Sequence, residues 1–107
     1  MLTEDDVRRV ALSLPAVQER LSYGTAAWHV NGKVFARMHE EARVLVLWCA
    51  GEHEKRVLLT EHSPTVFTTP HYDGHASVLV RLDAVGLGLL EQLIQDAWRA
   101  RAPRHLL

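Results

Sequence analysis

Asn31-Gly32 sits between two runs of strand-forming residues, Thr25 to Val30 and Lys33 to His39, and no other local feature restricts the chain as tightly. Both central residues of a two-residue type I′ turn need positive φ. Asn and Gly reach that region at low cost, so the dipeptide predicts an antiparallel hairpin with Val30 opposite Lys33. With simple alternation along the second strand, Trp28, Lys33, Phe35 and Arg37 then share one face.

A hairpin alone cannot bury its apolar face, and the rest of the chain supplies partners. Arg43 to Cys49 follows the polar turn Glu40-Glu41-Ala42 and is apolar at both parities, which predicts a central strand. Thr65 to Thr69 and Ser77 to Leu82 read as two further strands. Thr3 with Asp6 forms a weak capping box ahead of Val7, Val10, Ala11 and Leu14, a helical stripe stopped by Pro15. Ala16 to Gly24 reads as a connector with a glycine break.

Glu52 to Glu61 predicts a second helix with Val57, Leu58 and Leu59 on its apolar side, ended by Ser63-Pro64. From Val85, the stripe Leu87, Leu90, Ile94, Ala97 and Trp98 predicts a third, limited by Pro103. The expected fold is α+β over one domain, residues 1–107. It is an antiparallel sheet packed on one face by helices, in the order α-β-β-β-α-β-β-α. Val7, Val10, Leu14, Val78, Val80, Leu90, Ile94 and Trp98 are its expected core.

With 48% hydrophobic and 23% charged residues the chain lies far from the composition of disorder, so most of it folds. Twelve Lys and Arg against thirteen Asp and Glu leave a net charge of -1, so any nucleic-acid affinity has to come from a local patch. The single cysteine, Cys49, excludes an intrachain disulfide and reads as a buried thiol. The acidic amino terminus and the lack of a long apolar run point to a cytoplasmic protein with no membrane contact.

No catalytic constellation is legible, and no enzyme activity is expected. There is no Gly-x-Ser-x-Gly elbow, no Walker loop and no Gly-x-Gly-x-x-Gly fingerprint. His71-Tyr72-Asp73-Gly74-His75 places two imidazoles and a carboxylate in one loop. A closed metal site needs about four ligands in fixed geometry, and no Cys-His pattern accompanies these, so neither metal nor cofactor is expected. Arg99, Arg101, Arg104 and His105 form a basic cluster whose charge offsets the macrodipole at a helix carboxyl end.

Several segments in their order resemble the MmcQ/YjbR family: Ala11-Leu12-Ser13-Leu14-Pro15, Gly24, Gly32-Lys33-Val34-Phe35-Ala36, His71-Tyr72, Val78-Leu79-Val80-Arg81-Leu82, and the helix from Leu93 to Trp98. The resemblance implies a compact frataxin-like (CyaY-like) fold, described for that family as a winged helix-turn-helix-like DNA-binding domain, and it carries over no catalytic residues. Many relatives bear tryptophan where this chain has Ala76 and Ser77, so no stacking role is carried over there. A frataxin-like fold raises iron binding as a question, but Arg8 and Arg9 offset the acidic Glu4, Asp5 and Asp6.

The expectation for function is weak, largely sequence-independent DNA binding through phosphate contacts by Lys33, Arg37, Arg43 and Arg81, taken to lie near one sheet face. Trp28 and Phe35 are read as core, leaving Lys33 and Arg37 to reach solvent. The rival expectation is a non-enzymatic module that binds a small ligand, or a protein not identified by the sequence, on the exposed sheet face or at the His71 to His75 loop. Surface charge separates the two, because a DNA binder needs a contiguous positive stripe.

Overall fold

The computed structural model describes residues 1–107. Its elements are α1 (Glu4–Leu12), β1 (Val17–Ser22), β2 (Thr25–Val30), β3 (Lys33–Met38), β4 (Val44–Trp48), α2 (Glu52–His62), β5 (Val66–Phe67), β6 (Ser77–Arg81) and α3 (Leu87–Arg101), with a closing 3₁₀ turn at Arg104–Leu106. The six strands form one antiparallel sheet in the order β1-β2-β3-β4-β6-β5. The expected order of helices and strands is present, with one strand added at the sheet edge.

That added strand, β1, occupies the segment read as a connector. It pairs with all of β2 through the turn Tyr23-Gly24, where φ is 54° and 82°. Its side chains are largely exposed, Leu21 to 77%, so no alternation of apolar and polar residues marks it. Pairing with β2, and not burial, makes this segment a strand.

The Asn31-Gly32 turn has the predicted left-handed conformation, φ 51° and 76°, and Val30 is opposite Lys33. Further along, the register shifts: His29 pairs with Val34 but Trp28 pairs with Ala36, which leaves Phe35 as the extra residue of a β-bulge. Phe35 and Ala36 both enter the core. A one-residue slip reverses the facing of everything beyond it. Arg37 accordingly stands opposite Ala27 and Val46, on the face away from Trp28. The expectation that Trp28, Phe35, Lys33 and Arg37 share one face is thereby corrected.

One row across the sheet, Trp28, Ala36, Leu47 and Val78, faces the main core. Val7, Val10 and Ala11 of α1 and Leu90, Leu93, Ile94, Ala97 and Trp98 of α3 close over it. Leu14 lies beyond the end of α1 and is half-buried against this core, and Leu87 is exposed at the start of α3 while Leu93 takes its place inside. α2 packs beside β5 and β6, with Leu58 and Leu59 on the core and Val57 exposed. No helix is long and apolar enough to cross a membrane.

Charge at the amino-terminal corner is organised as a closed network. Thr3 N donates to Asp6 Oδ2 at 2.8 Å, and Arg8 donates from Nε and Nη2 to the two oxygens of Glu19 at 2.8 and 3.1 Å. Trp28 Nε1 donates to the same Glu19 at 2.9 Å. The Arg8 guanidinium, with Trp28 assisting, holds the Glu19 carboxyl below the usual carboxylate range.

Candidate functional site

The second sheet face carries the row Ala27, Arg37, Val46 and Leu79, all buried. Part of the cover is the loop Thr68–Ala76, folded on itself by Tyr72 and Asp73 N–H bonds to the Thr69 carbonyl at 2.9 and 3.0 Å. Between this loop and the sheet residues Arg37, Trp48 and Ser77 lies an open cleft of about 950 Å³. Tyr23, Trp48 and Tyr72 supply aromatic wall, and His39, His71 and His75 supply imidazoles.

Two buried cations hold the loop in place. Lys55 of α2, 2% exposed, donates from Nζ to the Tyr72 and His75 carbonyls at 2.7 and 2.8 Å. Arg37 donates from Nη2 to the Tyr72 hydroxyl at 3.1 Å and from Nη1 to Thr25 Oγ1 at 3.1 Å and Glu40 Oε1 at 2.9 Å. Its guanidinium carbon also lies 5.7 Å from the Tyr23 ring centroid. Each cation bridges elements distant in sequence, so the cleft is built before any ligand arrives. Neither role is legible locally: Lys55 looks like an exposed helix residue, and Arg37 looks like a solvent-facing strand residue.

The four cations expected to meet phosphate do not form one exposed, unpaired set. Lys33 is exposed at the hairpin tip, in register with core-facing Val30, and Arg37 is buried with its donors committed to the protein. Arg43 is exposed in the turn before β4, and Arg81 lies over the Phe67 ring at 4.3 Å and 3.7 Å from Glu41. Among the other arginines, Arg8 meets Glu4, Asp5 and Glu19, Arg9 meets Asp6, and Arg99 meets Asp96, whereas Arg20, Arg56 and Arg104 are exposed without a carboxylate partner.

The carboxyl-terminal basic cluster divides in the same way. Arg99 pairs with Asp96, Arg104 and His105 are exposed in the last turn, and Arg101 reaches into the cleft beside Trp48. Cys49 is buried, and burial foremost, with Glu54 adding to it, pushes its thiol up to about 12. A thiol so protonated is a poor nucleophile. His71 and His75 have ring centroids 6.5 Å apart, while Asp73 accepts from Thr68 Oγ1 at 3.2 Å. No group of three His, Cys, Asp or Glu side chains is placed to hold a metal ion.

A family model described as YjbR matches residues 12–100. Among curated proteins, "Uncharacterized protein Rv2570" of Mycobacterium tuberculosis (strain H37Rv) and "Uncharacterized protein Mb2600" of Mycobacterium bovis are each 32% identical to this chain, covering 100% of it and 94% of their own length. Among solved structures, the crystal structure of Deinococcus radiodurans protein DR2400, a DUF419 domain, superposes with a TM-score of 0.75 at 23% identity, over 92% of this chain and 77% of that one. This likeness is one of fold.

Proposed function

The chain belongs to the YjbR family, and from that premise we propose that it is a non-catalytic binding module whose working surface is the cleft between the second sheet face and the Thr68–Ala76 loop. The observation that carries the reading is the preformed cleft itself. Its volume, about 950 Å³, lies within the range of small-molecule sites, and its aromatic wall is fixed by Lys55 and Arg37 before binding. A site already ordered does not lose conformational freedom when the ligand enters.

Weak, sequence-independent DNA binding is the second reading. It draws on the family resemblance and on Lys33 and Arg43, both exposed and without a carboxylate partner. Burial of Arg37 and the pairing of Arg81 with Glu41 favour the cleft. Amide and indole NMR spectra distinguish the two when the protein is titrated with a library of small aromatic fragments and, separately, with a DNA duplex at about 50 and 200 mM salt. Fragment shifts grouped at Trp48, Tyr72 and Ser77 support the cleft. A library that leaves those signals unmoved, with a salt-sensitive duplex response at Lys33 and Arg43, would overturn it in favour of DNA.

A further inference from the structure

We propose that the cleft takes a planar aromatic ligand bearing an oxyanion, and that Trp48, Ser77 and Arg101 form the subsite for that oxyanion. This rests on the cleft being the binding surface and specifies what enters it. The first observation is a difference among the three indoles. Trp28 Nε1 donates to Glu19 at 2.9 Å and Trp98 Nε1 donates to the Pro15 carbonyl at 3.1 Å, whereas the half-buried Trp48 has no protein acceptor. Its N–H is not buried, and the residue lines the cleft.

Ser77 is the register partner of Trp48 across β4 and β6 and so shares its face. It is only 4% exposed, yet its hydroxyl makes no hydrogen bond to the protein and lines the cleft. The hydroxyl oxygen itself is reachable from solvent, so it is free to bond whatever enters the cleft.

Arg101 completes the corner. Its Nε donates to the Val34 carbonyl at 3.0 Å and its guanidinium carbon lies 5.9 Å from the Trp48 ring centroid. Like Arg20, Arg43, Arg56 and Arg104 it faces no carboxylate, but it alone of these lines the cleft, and its terminal N–H groups have no protein acceptor. A guanidinium with its outer edge free matches the two oxygens of a carboxylate or phosphate.

The charge of the cleft agrees. Glu40 is the one carboxylate lining it, and Glu40 accepts from Arg37 at 2.9 Å, so those two charges cancel and Arg101 leaves the cleft cationic. Arginine and indole donate and do not accept, so the ligand supplies the acceptors. Tyr23 and Tyr72 offer the ring faces against which a planar group packs.

The experiment uses two matched pairs of probes, indole-3-acetate with indole-3-acetamide and adenosine 5′-monophosphate with adenosine, titrated into the full chain while the Trp48 indole N–H signal is followed by NMR. In at least one pair the anion is expected to bind about tenfold or more tighter than its neutral partner, the factor one charge-assisted hydrogen bond supplies. The pair that responds tells whether the oxyanion is a carboxylate or a phosphate. Arg101→Gln should abolish the preference. Trp48→Phe, which keeps a ring and removes only the N–H, should reduce it in a protein whose fold is intact. Neutral and anionic probes binding equally, or a preference that survives both substitutions, overturns the oxyanion subsite while leaving the cleft reading in place. Failure of all four probes to move the Trp48 signal at millimolar concentration overturns both.

Discussion

Replacing Lys55 with methionine isolates what the buried ammonium does, because Met keeps most of the apolar stem and removes the charge and its donors. Lys55 Nζ makes two short bonds, to the Tyr72 and His75 carbonyls at 2.7 and 2.8 Å. A hydrogen bond to a charged group contributes about 1.5–3 kcal/mol, which sets an upper bound of roughly 3–6 kcal/mol for the pair. The two carbonyls belong to a loop whose His71, Asp73 and His75 are exposed, so water reaches them once the loop loosens and recovers part of the loss. The expected destabilisation is therefore about 2–4 kcal/mol. Urea unfolding should show it as a lower midpoint at unchanged slope. Amide exchange at Tyr72, Asp73 and His75, whose N–H groups close the loop, should quicken more than exchange in β4. A loss below about 0.5 kcal/mol, the range of ordinary surface substitutions, would refute the view that Lys55 holds the cleft wall.

Leu90→Ala should cost roughly 2–5 kcal/mol by thermal or urea unfolding, since Leu90 is completely buried in the first turn of α3, and a surface-sized change would remove it from the core. His29 gives a pH dependence. Burial first, then the Arg20 charge, hold its pKa below the ordinary 6.5, so the unfolded chain takes up a proton that the folded one resists. Its contribution is present above about pH 6.5 and is lost as the pH falls toward the folded value, so stability should decline through that window. In His29→Gln the decline should flatten, and an identical slope would show that another group titrates. Dialysis against a chelator should leave the melting temperature unchanged, because no three ligating side chains converge; a drop reversed by zinc would count against this.

Turn chemistry and period were readable from the chain alone. Asn31-Gly32 determined the turn and the Val30 to Lys33 pairing, because only residues tolerant of positive φ fit there. The stripes in α1 and α3 and the apolar run of β4 likewise identified most of the core, since a 3.6-residue or continuous pattern reports burial directly. β1 was hidden because an edge strand of exposed Gln18, Glu19 and Arg20 is made by its partner.

The site was decided by contacts far apart in sequence. A single extra residue at Phe35 turned Arg37 from an expected phosphate ligand into a buried clamp on Tyr72, 35 positions away. Lys55 reached across from α2 to the same loop, and Arg101, one of four basic residues near the carboxyl end, alone came to lie against Trp48. No local pattern encodes such meetings, because they follow from strand register and from how α2 and α3 pack. Sequence periodicity determined which residues leave water, and tertiary packing determined which polar atoms were left facing an open cleft without a partner.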